Sequence, residues 1–481
     1  MRHNKSTTFL SELQKYFSSD EKTIHTLFTE LSSLKFLSRV FSTFDKSNTK
    51  YFNYQRFIML ILFPLFSVKD ISHFAHSSLY QAFNCGKDIF YRFLNDTTID
   101  WRKIACKVNR HLINRTKKHS YSADNENIRC LIADDTDLPK SGRKFEFVSR
   151  IFSHAQQAYN YGFKGLFLGY HDGKSFFGLD FSLHGEKGKQ AEKPYGLTKK
   201  QSKKRFQNKS RDKKSPSQNR VDNYFQAKTE VLIGMIRTAI SGGIRFDYLL
   251  TDSWFTSFEL IKFIVTRGIK CHFLGMVKRG NRKYIFKGKE LTFSGILSLL
   301  KRTKMSYSKK LCCWYYEAEV DINCLNIKLL FCKMSKRGDW NGLLTTNTEL
   351  TFEKAFEIYA TRWTIEVFFK ECKQYLRLGK CESRHFEAQI AATTLCLLQY
   401  NLLSVVKRFE SYESFGALFR QSKAEILEIN VKERIWLIII ELITEISEFM
   451  SFELDSLMKQ ILTDNQRITK ILNFKTLTQA A

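Results

Sequence analysis

Two short apolar runs in this 481-residue chain lead into acids: "CLIADDT" at 130–136 and "YLLTDSWF" at 248–255. Runs of that length bounded by turn residues read as buried strands. A carboxylate on such a strand is costly unless something pairs with it. Whatever this chain folds into must therefore supply partners for Asp134, Asp135 and Asp252.

The flanking pattern narrows the fold to a mixed α/β class. Residues 1–118 place apolar side chains at helical spacing, as in "TLFTELSSLKFLSRVFSTF" and "WRKIACKVNRHLINR". From 127 short strands take over, and "YGFKGLFLGYHDG" with "KSFFGLDFSLHG" reads as a hairpin turning at "HDGK". "NYFQAKTEVLIGMIRTAISGG" (223–243) reads as a helix closed by Gly242 and Gly243. The strand before Asp252 and the helix "SFELIKFIVTRG" after it form the unit expected of a parallel sheet segment. Strands return over 271–335, helix resumes near 351, and 410–481 reads as helical.

The net charge of +29, from 77 basic against 48 acidic residues, favours a polyanionic partner, with nucleic acid first. Residues 1–118 hold 19 Lys/Arg against 9 Asp/Glu, which suits a basic helical DNA-binding region. Residues 199–220 hold ten Lys/Arg, one Asp and Pro216, with almost nothing to bury. They read as a mobile loop lying on phosphates through Lys199, Lys200, Lys203, Lys204, Arg205, Lys209, Arg211, Lys213 and Lys214, or as a merely solvated linker. The eleven Cys are scattered, mostly in apolar contexts, which suits a reducing compartment. Cys372, Cys381 and His385 match no structural zinc spacing. No secretory signal is legible, and the apolar runs 57–66 and 435–446 are too short or too charged to span a bilayer. The expectation is a soluble cytoplasmic protein.

A third acid lies in "IYATRWTIEVFFKECKQYL" (358–376), which reads as one helix. At about 100° per residue, Tyr359, Arg362, Glu366 and Lys373 share an arc of roughly 60° on an otherwise apolar element. Each acid has a plain structural explanation. Asp135 can serve a turn, Asp252 can cap the following helix, and Glu366 can pair with Arg362 at i, i+4. Together they suggest more. Three converging carboxylates raise one another's pKa unless a divalent cation supplies the charge, and hard oxygen ligands suit Mg²⁺, with Mn²⁺ as substitute. Two such ions about 3.5–4 Å apart serve phosphoryl transfer.

In these motifs the sequence resembles the DDE transposases of bacterial insertion sequences, specifically the insertion-sequence-four family. That family is marked by Tyr, two residues, Arg, three residues, Glu, six residues, Lys, a spacing that Tyr359, Arg362, Glu366 and Lys373 fill without deviation. "LLTDSWF" resembles its second-Asp motif and "IADDT" its first. The resemblance covers most of 125–405. It selects Asp135, which Thr136 follows directly, with Asp134 as the alternative.

The resemblance implies an RNase H-like core, a mixed sheet flanked by helices, interrupted by a β-rich insertion. The expected parts are a basic helical region at 1–118, core at 119–270, insertion at 271–345, core with the signature helix at 346–409, and a helical C-terminal region at 410–481. It also implies cut-and-paste transposition by metal-dependent strand cleavage and strand transfer. Asp135, Asp252 and Glu366 would ligate the two metal ions, while Tyr359, Arg362 and Lys373 would hold phosphates. The partners would be element ends and target DNA, engaged by a homodimer at the bacterial nucleoid. Trp314 could stack on an extruded base, although ordinary packing is the stronger reading, and Lys140 and Arg143 could touch backbone.

Overall fold

The computed structural model describes residues 22–45, 51–77, 79–80, 85–119, 127–154, 156–188, 190–208, 210–266, 270–335 and 338–427. The chain divides into two compact units, 1–420 and 421–481, and of the second only 421–427 lie among the described residues. Most of the expected C-terminal helical region therefore lies outside them.

The N-terminal part is helical, as its periodicity requires: α1 (Lys22–Ser33), α2 (Leu37–Ser42), α3 (Asn53–Leu62), α4 (Asp88–Leu94) and α5 (Trp101–His119). Strands follow: β1 (Cys130–Pro139), β2 (Ser149–Ser153), β3 (Ala158–His171) and β4 (Phe176–His184). The β3–β4 hairpin turns where "HDGK" predicts. The Asp172 carboxylate accepts the N–H groups of Lys174 and Ser175, and Gly173 takes φ +96°, a left-handed conformation that side chains resist.

Next come α6 (Lys199–Lys203), α7 (Pro216–Phe225) and α8 (Lys228–Ser241), then β5 (Tyr248–Thr251), α9 (Phe258–Thr266) and β6 (His272–Met276). The single helix expected over 223–243 is two, because Gln226 and Ala227 are extended between them. Pro216, read as a loop marker, is instead the first residue of α7 behind a Ser215 N-cap, where its missing N–H costs nothing.

β1 and β3 are antiparallel, as are β3 and β4, whereas β1 pairs parallel with β5 and β5 parallel with β6. The order β4-β3-β1-β5-β6, three antiparallel strands then two parallel ones, is the RNase H-like arrangement that the resemblance implied. The remaining strands extend the same sheet: β7 (Lys283–Phe286), β8 (Lys289–Thr292), β9 (Ser306–Ser308), β10 (Cys313–Ile322), β11 (Leu325–Lys333) and β12 (Asn341–Thr345), with α10 (Phe293–Leu300) among them. β12 joins this extension to the core by pairing antiparallel with β6. Thus β6, although within 271–345, is a strand of the core sheet.

The chain closes over the sheet with α11 (Phe352–Ala360), α12 (Trp363–Tyr375) and α13 (Phe386–Phe409). Among the described residues α13 is the one helix long and apolar enough to cross a membrane, and nearly all of it is buried inside the fold. Its Asn401 completes a polar junction. The β3–β4 pairing slips between Leu168 and Gly169, leaving Leu179 without a register partner beside Gly178. The Asn401 amide accepts from the Gly178 N–H at 2.8 Å and donates to the Gly178 carbonyl at 2.7 Å. Asn109 of α5 donates to the Gly178 and Leu179 carbonyls, both at 3.0 Å. Buried backbone groups are thus satisfied across three elements.

Candidate active site

The two aspartates that end "CLIADD" lie within β1, which runs on to Pro139. Successive side chains of a strand point to opposite faces, so Asp134 and Asp135 must diverge. Asp134 and Thr136 meet α12: Arg362 Nη1 lies 2.9 Å from Asp134 Oδ2, and Lys373 Nζ donates to Thr136 Oγ1 at 2.7 Å. Asp135 and Asp137 meet the opposite side. Asp135 is paired with Lys228 at the start of α8, and Asp137 with Lys164, its register partner on β3.

Asp252 directly follows β5. The parallel register ends at Ala133↔Thr251, so the next residues along are Asp134 and Asp252. Asp252 also caps its own turn, accepting the N–H groups of Trp254 at 3.0 Å and Phe255 at 3.1 Å. The capping role foreseen for it is therefore real, and it leaves carboxylate oxygen for other partners. Burial, with the charge of Asp252 next, pushes the Asp134 carboxyl up to about 7. Burial raises the Asp252 carboxyl as well, with the charge of Asp135 adding to the rise.

The expected single helix over 358–376 is broken at Thr361–Arg362, where the N–H of Arg362 bonds back to the Tyr359 carbonyl at 2.9 Å. Tyr359 thereby closes α11 and Arg362 opens α12. The Tyr359 hydroxyl donates to the Thr251 carbonyl at 3.2 Å, which clamps the end of β5, and burial lifts its phenol to about 12. Its observed partner is backbone, not an open donor position. Arg362 spans the site, with Nη2 on Glu366 Oε1 at 2.6 Å while Nη1 holds Asp134. The i, i+4 pair foreseen for Glu366 exists, but the same guanidinium also reaches a strand 228 residues earlier.

Asp134 and Glu366 thus share Arg362, with Asp252 level with Asp134, while Asp135 pairs with Lys228 and its charge still adds to the rise of the Asp252 carboxyl. The donor set suits a hard divalent cation at Asp134 and Asp252, two carboxyls whose pKa burial raises and that face each other's charge or that of Asp135. Glu366 is held by the guanidinium. Among the described residues no group of three or more His, Cys, Asp or Glu is close enough to hold a metal ion.

The other candidate residues disperse. Arg211 is no exposed DNA contact: its side chain is 7% exposed, 2.9 Å from Glu146 and 2.6 Å from Glu387. Arg205 donates to the Val148 carbonyl and to Ser202. The arm is therefore stapled to the core by its arginines and carries the short helix α6, instead of moving as a free loop. Lys199, Lys200, Lys203, Lys204, Lys213 and Lys214 are exposed on it, and Lys209 lies outside the described residues. Lys140 donates to the Gly379 and Cys381 carbonyls, both at 2.8 Å, and fixes the loop after α12, whereas Arg143 is exposed. Trp314 is half-buried against Tyr307, ring centroids 4.7 Å apart.

Sequence reasoning did not single out Lys228, whose ammonium lies over the Trp254 ring at 4.9 Å from its centroid while pairing with Asp135. No sequence signal marks a lone Lys at a helix start as the partner of a strand 93 residues earlier.

Residues 67–284 match the family model of the DDE superfamily endonucleases. The match includes Asp134 and Asp252 but stops short of α12, and it spans under half of the chain. Among solved structures, the chain is similar to a piggyBac transposase in its synaptic complex with hairpin DNA, determined by cryo-EM. That similarity has 13% identity and a TM-score of 0.40, and covers 86% of this chain and 79% of that one. No curated protein matches the sequence.

Proposed function

We propose that the chain is a DDE-type transposase of the insertion-sequence-four kind, which cuts a mobile element from its flanks and joins it to new DNA. The observation that carries this reading is the convergence on Arg362 of acids from β1 and α12, beside Asp252 at the end of β5. The match of 67–284 to the DDE superfamily endonucleases supports the nuclease chemistry. The net charge of +29 supports a DNA partner.

The triad we propose is Asp134, Asp252 and Glu366. This replaces Asp135, because Asp134 shares its face of β1 with α12 and Asp135 is paired with Lys228. Asp134, Asp252 and Glu366 would hold Mg²⁺, as two ions, which supplies the charge that activates an attacking oxygen and steadies the leaving one. Tyr359 keeps the end of β5 in place, so that Asp252 stays level with Asp134. Arg362 and Lys373, on the same face, are positioned to hold phosphate oxygens. The partners are the element ends and target DNA, bound by a homodimer.

The test is strand cleavage of a duplex carrying the inverted repeats that flank the gene, in Mg²⁺, by Asp134→Asn, Asp135→Asn, Asp252→Asn and Glu366→Gln proteins. Loss of cutting in all but Asp135→Asn is the expected result. Wild-type-like cutting by Asp252→Asn or Glu366→Gln would sink the proposal.

A further inference from the structure

Arg362 stands where the site needs a cation, and its two terminal nitrogens are spent on Asp134 at 2.9 Å and Glu366 at 2.6 Å. Its side chain is 17% exposed, Asp134 is 15% exposed and Glu366 34% exposed, so the bridge lies at the rim of the site, within reach of a ligand. While it holds, one oxygen of Glu366 is spent on the guanidinium, and among the described residues no three acids lie close enough to hold one metal ion. Releasing Glu366 and Asp134 would leave a half-buried guanidinium unpaired, which is costly unless another anion takes their place. A phosphodiester matches the same planar fork of donors that now grips the carboxylates.

On the strength of the functional reading above, we infer that Arg362 is a positioning residue that trades its carboxylates for a DNA phosphate, so that DNA and the divalent metal bind with positive coupling. DNA draws the guanidinium away and frees Asp134 and Glu366 for metal. Metal in turn holds the carboxylates and frees the guanidinium for phosphate. Thermodynamic linkage makes the two effects equal in size. The exchange breaks no covalent bond, because one set of charge-assisted hydrogen bonds replaces another.

The test is a binding cycle on the full-length protein, with a precleaved element-end duplex that offers nothing further to hydrolyse. Mn²⁺ binding is read from the loss of free-ion electron paramagnetic resonance signal, with and without saturating duplex. For wild type, duplex should tighten Mn²⁺ binding about 10-fold or more, within the usual range of coupling between sites. Arg362→Gln should bind Mn²⁺ tightly without DNA and show little coupling, and Arg362→Lys should recover part of it. Glu366→Gln, which keeps the fold's packing and loosens one side of the bridge, should bind the duplex more tightly than wild type in EDTA. A wild-type protein that binds the duplex with an unchanged Mn²⁺ affinity would overturn the coupling and leave the transposase reading intact. So would an Arg362→Gln protein with wild-type coupling. Failure of the wild type to bind the duplex at all would overturn both.

Discussion

Two arginines invite the same reading from sequence and end in different places. Arg362 stands at the start of α12 and Arg211 on the Lys-rich arm, and each could have been a phosphate clamp. In the fold each sits between two carboxylates: Arg362 between Asp134 and Glu366, Arg211 between Glu146 and Glu387. Arg211 is closed in, and its acids have other work. Glu146 accepts the backbone N–H groups of Asn208 and Phe386, and Glu387 accepts from Ser217. That cluster joins the arm to α13 as a structural staple. The acids around Arg362 lie within a strand, at a turn and on a helix face, with the Asp134 carboxyl pushed up to about 7 by burial and then by the charge of Asp252. Local charge density is thus a poor guide to what a cation does, and the duties of the partnering acids are a better one.

The contrast can be broken most decisively at the acids. Asp134→Asn should lower the rate of element-end cleavage by about 100-fold or more, the scale of losing an electrostatic group aimed at reacting atoms. Asp135→Asn should retain most of the activity, and equal loss in the two would erase the distinction between the faces of β1. At the other arginine, Arg211→Ala should leave two buried carboxylates unpaired and destabilise the protein by about 3–5 kcal/mol, measured by denaturant unfolding. Lys213→Gln and Lys214→Gln should leave stability unchanged.

A smaller effect tests the Asp135 side of β1. His184 is buried, its Nε2 has no hydrogen-bond partner, and burial followed by the charge of Lys228 pulls its pKa down to about 4. The folded state then binds fewer protons than the unfolded one between about pH 6.5 and 4. The neutral imidazole's contribution should therefore be present above that window and lost as pH falls through it. In urea titrations, His184→Gln should flatten the loss of stability between pH 6.5 and 4. An identical pH slope in the two proteins would show that His184 protonates freely. The smallest effect concerns the arm lysines. Replacing Lys199, Lys200, Lys203, Lys204, Lys213 and Lys214 by Gln should flatten the dependence of DNA affinity on salt by about 0.9 for each phosphate no longer neutralised, and an unchanged slope would mark the arm as pure scaffold.

Much of this was legible because it is local. Apolar periodicity marked the N-terminal helices, "HDGK" marked the β3–β4 turn, and two acid-ended runs marked β1 and β5. The spacing from Tyr359 to Lys373 singled out the helix that faces Asp134. What misled was also local: Pro216 read as a loop breaker but opens α7, and a continuous helical period hid the break at Thr361–Arg362. Thr136 after Asp135 selected the member of the pair that meets Lys228, whereas Asp134 meets α12, because a dipeptide motif carries no information about which face of a strand is covered.

By itself the sequence determined most of the element types, the three segments that carry the candidate acids, and the excess of positive charge. These follow from period, turn chemistry and composition, which are properties of neighbours along the chain. Only the tertiary structure decided that Asp134 faces α12, that Lys228 pairs with Asp135, and that Arg211 is buried while Arg362 bridges Asp134 and Glu366. Each of those outcomes depends on a partner many residues away, brought close by strand register and by helices packed on opposite faces of one sheet.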